Sequence, residues 1–178
     1  FGKYRKAMSK SKWYALFVKT GEEENIKKRL VYRIGDRDIK VVVPKRCMRE
    51  RKQGVWEYKI RTLFPGYILL KGTLSKTDCE LFNDVPGVIR LIKDRDGPTE
   101  ISENEMRIIS QLMCNDDVIG SSYAYYEGGS IIVTGGPLLG LEGYIIAVDK
   151  RKGRAKVRLN IMGQPRTVEL SIAFVVPA

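Results

Sequence analysis

The sequence of 178 residues contains no histidine, and this absence excludes several common kinds of catalytic site. Ser-His-Asp triads and Cys-His dyads both require an imidazole, and so does nearly every zinc site that is not built from cysteines alone. Cysteine is also scarce, since the three present, Cys47, Cys79 and Cys114, lie far apart and form no Cys-x-x-Cys pair. We therefore predict that the protein is not an enzyme and that it binds neither a metal nor another cofactor.

Long hydrophobic runs are missing as well, and no stretch approaches the ~18 apolar residues that cross a bilayer. The first residues lack the pattern of a signal peptide, and an odd number of separated cysteines is typical of a reducing compartment. We expect a cytoplasmic protein without membrane contact, in which the cysteines are buried as small apolar side chains. Residues 1–7 precede Met8, a candidate initiator, and have no weight in this interpretation.

Acidic residues are outnumbered by basic ones. The chain carries 32 Lys and Arg against 21 Asp and Glu, which gives a net charge of +11. Such an excess favours a polyanionic partner, most often a nucleic acid. Anionic lipid and a generic basic surface are the alternatives, and the charge alone does not separate them.

The hydrophobic pattern changes character near residue 115. Before that point, period-2 and period-3.6 segments alternate, and we predict an α+β domain over residues 12–114 in which helices flank an antiparallel sheet. In the strand at 55–62 the alternation places Trp56, Tyr58, Ile60 and Thr62 on one aromatic and apolar face. The predicted elements are strand 13–18, a helix with Thr20 as N-cap and Gly35 at its end, strands 40–43, 55–62 and 67–70, a helix from Ser75 to about Phe82, strand 88–92, and a helix that starts with a Ser102–Glu105 capping box.

After residue 115 nearly every segment is strand-like or turn-like. Residues 115–124 are polar and small, and we predict a linker there. From 125 to 178 five short apolar runs are separated by glycine-rich turns, which predicts a small five-stranded β-barrel. Closure of the sheet is favourable in so small a domain because an open edge invites aggregation.

Motifs in both halves resemble the NusG family of transcription elongation factors. In the first half the segments Trp13-Tyr14, Val43-Pro44, Phe64-Pro65-Gly66-Tyr67 and Val85-Pro86-Gly87-Val88 resemble the amino-terminal NusG domain. The segments Gly136-Pro137-Leu138-Leu139-Gly140-Leu141-Glu142-Gly143, Val148-Asp149, Gly163 and Val168-Glu169-Leu170 resemble a KOW domain, which has an SH3-like barrel. The matches span about residues 12–176 in the family's order.

The resemblance implies that the first domain binds RNA polymerase at its clamp helices and favours the elongating state. Rigid aromatic side chains suit such a contact because they give a large area for little loss of side-chain entropy. Core positions are the alternative for Trp13 and Tyr67, and Phe64 and Tyr67 are the stronger candidates for surface contact. The positions that match the family's polymerase-binding cavity are Trp13, Tyr14, Leu63, Phe64 and Tyr67.

A basic cluster occupies the predicted KOW turn, where six of the ten residues 149–158 are Lys or Arg. Gly153 permits a tight turn, and alternation then directs three cations to one outer face of the following strand, with Ala155, Val157 and Leu159 inside. No aromatic residue lies within the cluster, so a folded RNA read through phosphates and groove shape is favoured over stacking on a single strand. A solvated hairpin without a ligand is the alternative. The predicted RNA-binding residues are Lys150, Arg151, Lys152, Arg154, Lys156, Arg158 and Arg166.

A second basic cluster follows Val43-Pro44, where family members tend to be acidic. We predict a loop at 45–52 that contacts DNA or nascent RNA, and a solvated basic loop is an equal alternative. Its basic residues are Lys45, Arg46, Arg49, Arg51 and Lys52.

The basic KOW turn separates two functions that the resemblance implies. It is similar to the specialised antitermination paralogs of the LoaP type, which act with an RNA hairpin in the leader of long gene clusters. We therefore predict a monomeric processive antitermination factor that binds RNA polymerase and an RNA hairpin of the nascent transcript. The alternative is a housekeeping elongation factor whose KOW domain binds a ribosomal protein or a termination factor.

Overall fold

The computed structural model describes residues 11–114 and 117–176, so residues 1–7 and the first two residues of the predicted linker lie outside the described part. Three α-helices occur in these ranges: α1 Glu23–Ile34, α2 Lys76–Asn83 and α3 Glu103–Met113. The strands are β1 Lys12–Val18, β2 Ile39–Val42, β3 Lys45–Lys52, β4 Val55–Thr62, β5 Tyr67–Gly72, β6 Val88–Leu91, β7 Lys93–Asp94, β8 Gly97–Pro98, β9 Val118–Ile119, β10 Ser122–Glu127, β11 Ser130–Gly135, β12 Ile145–Asp149, β13 Arg154–Ile161 and β14 Gln164–Phe174.

The first half is built on an antiparallel sheet with the strand order β2-β5-β1-β6. Alternation along β1 directs Leu16 into a core shared with α1 and α2, while Ala15 lies on the opposite face. That second face belongs to another apolar cluster, which includes Ile109 of α3. The predicted α+β class, with helices on an antiparallel sheet, is confirmed.

Helix starts agree with the sequence for α2 and α3 and differ for α1. Ser75 and Asp78 form a full capping box at α2. At α3 the Ser102 hydroxyl accepts a hydrogen bond from the Glu105 amide, as predicted, but the Glu105 carboxylate accepts from the Gly163 amide at 3.1 Å. The N-cap of α1 is Glu22, not the predicted Thr20. Gly21 has a positive φ of 90°, and the turn there separates Thr20 from the helix, while the Glu23 carboxylate accepts from the Gly21 amide.

The second half is a curled five-stranded sheet with the order β11-β10-β14-β13-β12, and it confirms the predicted number of strands but not their bounds, because β10 begins inside the predicted linker. Along β13 the side chains of Ala155, Val157 and Leu159 are buried, whereas Lys156 and Arg158 are exposed. A single apolar cluster joins this sheet to α3 and to the face of the first sheet that carries Ala15. The two halves are therefore packed against each other through a shared core.

Two predicted irregular segments are strands. In the predicted linker 115–124, β9 pairs in parallel with β3, and β10 begins at Ser122, whose hydroxyl accepts from the Leu138 amide at 2.9 Å. The small polar residues of this segment thus take part in strand pairing. The domain boundaries at 12–114 and 125–178 stay a prediction.

The predicted basic loop at 45–52 is also wrong, because these residues form β3, which pairs with β4 over its whole length. The Gln53-Gly54 turn joins the two strands, and both residues have positive φ, 51° and 81°. Two-residue turns of that kind match the twist of a hairpin. The basic residues are consequently held on an extended arm, the β3–β4 hairpin.

Candidate functional site

The β12–β13 turn presents the predicted RNA-binding cations to solvent. Lys150, Arg151 and Lys152 are exposed, and the Lys152 amide donates to the Asp149 carboxylate at 2.9 Å, which closes the turn. Gly153 has φ +67°, and a Cβ at this position would come within 3.2 Å of a backbone oxygen. The turn therefore requires glycine. None of its three neighbouring cations forms an ion pair within the described part of the chain.

Two of the predicted RNA-binding arginines contact the first half. Arg154 is half-buried, forms an ion pair with Glu169 at 3.2 Å and donates to the backbone oxygen of Arg49, also at 3.2 Å. Arg166 lies over the Tyr67 ring and donates to its hydroxyl at 3.0 Å. Sequence alternation correctly places Arg154 on the outer face of β13, but there it is half-buried against the N-terminal half, whereas Arg166 stays exposed beside Tyr67.

Aromatic rings surround Lys150, contrary to the expectation that the basic cluster has none. The Lys150 ammonium lies 4.1 Å from the centre of the Tyr126 ring and 5.4 Å from that of Phe174. These two rings are stacked, with centres 5.0 Å apart and planes 6° apart. They come from β10 and β14, whose parallel pairing cannot be predicted from the sequence of the turn alone.

The β3–β4 hairpin has one basic and aromatic face. Opposite residues of the register share a face, so Arg49 and Arg51 lie beside Tyr58 and Trp56, and the Arg49 guanidinium is 4.8 Å from the centre of the Trp56 ring. The aromatic face predicted for residues 55–62 is present, but it is exposed rather than part of a core, with Tyr58 73% exposed. Glu50 lies on the other face.

The other basic residues of this segment form two sets, one bound within the protein and one exposed to solvent. Lys45 forms an ion pair with Glu24, and Arg46 donates to the backbone oxygen of Glu169 at 2.7 Å. Burial lowers the pKa of the Arg46 guanidinium, and the nearby Glu169 carboxylate opposes that shift. Arg51 and Lys52 are exposed, so only the outer part of the hairpin offers charge to a ligand.

The predicted polymerase-binding residues do not form one surface. Tyr14, Leu63 and Phe64 are buried, and Tyr14 belongs to the core beneath α1 and α2. The expectation that Phe64 is a surface contact is therefore wrong for this arrangement, because the side chain is part of the core shared by both halves. Trp13 and Tyr67 are half-buried on the opposite sheet face from Tyr14.

Glu23 fixes the turn that precedes Tyr67. Its carboxylate accepts from the Gly66 amide at 2.9 Å and from the Gly21 amide at 3.0 and 3.1 Å. Burial would raise the pKa of the Glu23 carboxyl, but the backbone donors of Gly66, Glu23 and Gly21 together lower it. The Pro65-Gly66 turn is thereby tied to the first turn of α1.

Replacement of Glu23 by glutamine is expected to reduce the free energy of unfolding by about 1–3 kcal/mol at pH 7, because charge-assisted hydrogen bonds to a buried carboxylate are lost. A lowered folded-state pKa stabilises the protein above the unfolded value of about 4.3, and the gain is lost as the pH falls through the folded value. Urea unfolding at pH 7 and near pH 3 should show the difference from wild type shrink in acid. The exposed Glu80→Gln serves as control, and an equal effect of both variants would contradict this role.

Comparison with known proteins gives the family. The family model described as "Transcription termination factor nusG" matches residues 11–110. The chain belongs to the NusG family. The "Transcription termination/antitermination protein NusG" of Haemophilus influenzae is 30% identical over 175 residues, which cover 94% of this chain and 95% of that protein. The protein of the same name from Thermus thermophilus is 27% identical over 180 residues, with 93% and 98% covered.

A solved structure supports the fold of this NusG-family chain. The structure described as "Domain interaction in Thermotoga maritima NusG" aligns with a TM-score of 0.60 at 23% identity and covers 91% of this chain and 94% of that one. The predicted role in transcription regulation is confirmed at the level of the family. Membership does not distinguish the LoaP-type paralogs from other NusG proteins.

Two smaller expectations can be compared with this NusG-family structure. Cys114 is exposed and Cys47 and Cys79 are only half-buried, so the expectation of three buried cysteines is wrong. Cys114 follows α3 directly as its C-cap, a place that is accessible to solvent. In the described ranges the longest helix has 12 residues, and none has the length and apolar composition to cross a bilayer.

Proposed function

We propose that this NusG-family chain is a processive antitermination factor of the LoaP type that binds a structured leader RNA through its C-terminal unit and RNA polymerase through its N-terminal domain. The observation that carries the RNA part is the exposed group of cations on the β12–β13 turn and the outer face of β13. Its members are Lys150, Arg151, Lys152, Lys156 and Arg158.

The charges of this group are available to phosphates. Asp149 is the acid of the turn itself, and its carboxylate accepts from the Lys152 backbone amide. Glu169, the acid on the neighbouring strand, pairs with Arg154 and Arg46. Like charges crowded on one surface repel each other, and a polyanion relieves that repulsion while it releases counterions.

The polymerase part is supported by the sheet face that carries Trp13, Phe17 and Tyr67. Phe17 and Tyr67 meet edge to face with ring centres 5.6 Å apart, and both are half-buried. The parts of these rings that the shared core leaves exposed offer an aromatic surface of the kind that dominates protein interfaces. With polymerase and RNA bound by two parts of one chain, each contact raises the effective concentration for the other.

Arg166 restricts access to Tyr67, which gives a test of the polymerase part. Replacement of Arg166 by alanine removes the cation from the Tyr67 ring and its hydrogen bond to the hydroxyl, and we expect a polymerase affinity about two- to tenfold higher. Tyr67→Ala should lower that affinity. Both are measured with the full chain and purified core polymerase.

The exposed Arg33 of α1 supplies the matched control, because Arg33→Ala removes the same charge at a distance from Tyr67. Unchanged affinity in Arg166→Ala together with unchanged affinity in Tyr67→Ala would show that polymerase binds elsewhere on the chain.

A second candidate function is that of a housekeeping factor whose C-terminal unit binds a ribosomal protein or a termination factor. It is favoured by the exposed apolar side chains Leu139 and Ile146 on this unit, since such contacts are largely apolar. The two functions differ in whether the chain binds RNA with sequence or shape preference.

The test is a titration of the full chain with hairpin RNAs taken from transcript leaders, with an unstructured scrambled RNA and duplex DNA as competitors. It is run at two salt concentrations because charge-driven affinity falls steeply with salt. Tight binding of one hairpin that persists at the higher salt supports the antitermination factor. Weak binding that does not discriminate and disappears with salt would favour the housekeeping function.

A further inference from the structure

We propose that the cleft between the β3–β4 hairpin and the C-terminal unit binds single-stranded RNA that flanks the hairpin RNA, with bases stacked on its aromatic side chains. The proposal rests on the proposed function for the source of the RNA, and it assigns a second, chemically different site to the same transcript.

The cleft combines two cations with three aromatic rings. Arg49 and Tyr58 line it from the β3–β4 hairpin, and Tyr123, Lys150 and Phe174 line it from the C-terminal unit. Its volume is about 440 Å³, which lies in the range of small-ligand sites. No acidic side chain is among the described residues that line it, so the cleft is electrostatically complementary to phosphates.

Two of the three rings are free to accept a ligand, whereas Phe174 is already stacked on Tyr126. Tyr58 is 73% and Tyr123 is 49% exposed, so neither is used to fill the core. Large aromatic side chains on a soluble surface that lie together and beside cations are a recognised sign of a binding site. On this face of the hairpin Trp56 extends the aromatic surface beyond the cleft, with Arg49 stacked over it.

The chemistry favours a single strand over a duplex. A duplex keeps its base faces stacked inside and presents only phosphates, sugars and groove edges, for which tyrosine rings offer nothing specific. Unpaired bases have free faces that stack on aromatic side chains whatever their sequence, and cations beside the rings hold the backbone.

Lys150 connects the cleft to the exposed cations of the β12–β13 turn and the outer face of β13. Its ammonium lies over the Tyr126 and Phe174 rings, and its neighbours in the chain, Arg151 and Lys152, point into solvent at the same turn. An RNA whose paired stem lies on the outer face of β13 therefore has a continuous path for its unpaired flank across Lys150 and into the cleft.

The experiment compares the full chain bound to a blunt hairpin RNA and to the same hairpin with a single-stranded extension of about ten uridines, a length within the usual site size. In wild type we expect the extension to raise the affinity at least about fivefold. Tyr58→Ala, and separately Tyr123→Ala, should remove that gain and leave the blunt hairpin unaffected. Tyr32→Ala is the matched control, since Tyr32 is 86% exposed on α1.

The outcomes separate this proposal from the proposed function. The proposal of a single-strand site in the cleft would be overturned if the extension did not raise the affinity. It would also be overturned if Tyr58→Ala and Tyr32→Ala reduced the gain equally. Both results would count even if the blunt hairpin binds tightly. Free oligouridine tests the cleft when no hairpin binds, and its affinity should fall in Tyr58→Ala. An oligothymidine that binds as tightly, with the same dependence on Tyr58, would overturn the assignment to RNA.

Discussion

Replacement of Arg151, Lys152, Lys156 and Arg158 by alanine together is expected to lower the affinity for hairpin RNA by about 100- to 1,000-fold, the largest functional effect that the structure predicts. Each of these exposed cations is available to a phosphate, and the salt dependence of binding should fall by about one unit of slope for each contact removed. The substitutions leave Lys150 in place, so that the cleft keeps its cation. The same titration that tests the proposed function measures the change.

The control is a variant with the same loss of charge elsewhere. Lys28, Arg33, Lys76 and Arg95 are exposed on the N-terminal domain, and their replacement by alanine removes two lysines and two arginines, as in the test variant. If this control loses as much affinity, net charge and not the β13 face determines RNA binding, and the proposed site is wrong.

Phe64→Ala is expected to lower the free energy of unfolding by about 3–5 kcal/mol, the usual cost of truncating a fully buried aromatic side chain. Phe64 is 3% exposed and lies in the cluster that joins both halves. Urea unfolding of the full chain followed by circular dichroism measures the loss. Phe64→Leu, which leaves a smaller cavity, should lose less.

This experiment separates two roles that the sequence leaves open for the Phe64-Pro65-Gly66-Tyr67 motif. If Phe64 were an exposed contact for polymerase, its truncation would lower the affinity for polymerase and cost little stability. A loss of stability below about 1 kcal/mol would therefore contradict the core position of Phe64. Tyr67, which is half-buried and contacts Arg166, remains the residue of this motif that a partner can reach.

The sequence predicted what depends on local periodicity. Along β13 the alternation of Ala155 and Val157 with Lys156 and Arg158 was sufficient to separate the inner from the outer face. The start of α2 at Ser75 was likewise predicted, because an N-cap serine contacts backbone amides within one turn, although its partner Asp78 was not identified from the sequence.

What the sequence could not predict depends on pairing between distant segments. β3 is dominated by charge, and its strand conformation is fixed by β4, which supplies the partner in a register that includes Arg49 and Tyr58. The rings beside Lys150 belong to Tyr126 and Phe174, which are brought there by the parallel pairing of β10 with β14. The engagement of Arg154 and Arg166 by the N-terminal half has no local signal at all.

The two-residue turn at Gln53-Gly54 makes the β3–β4 hairpin an arm of adjustable reach. The turn does not limit the length of the strands that it joins. Residues added in equal number to both strands would therefore lengthen the hairpin and leave the Gln53-Gly54 turn unchanged. Two residues added to each strand near its base would lengthen it by about 7 Å and keep Trp56 and Tyr58 on the same side. One residue added to each strand would turn that side away from the C-terminal unit. Natural variation in arm length should therefore occur in steps of two residues per strand wherever the orientation of the arm matters.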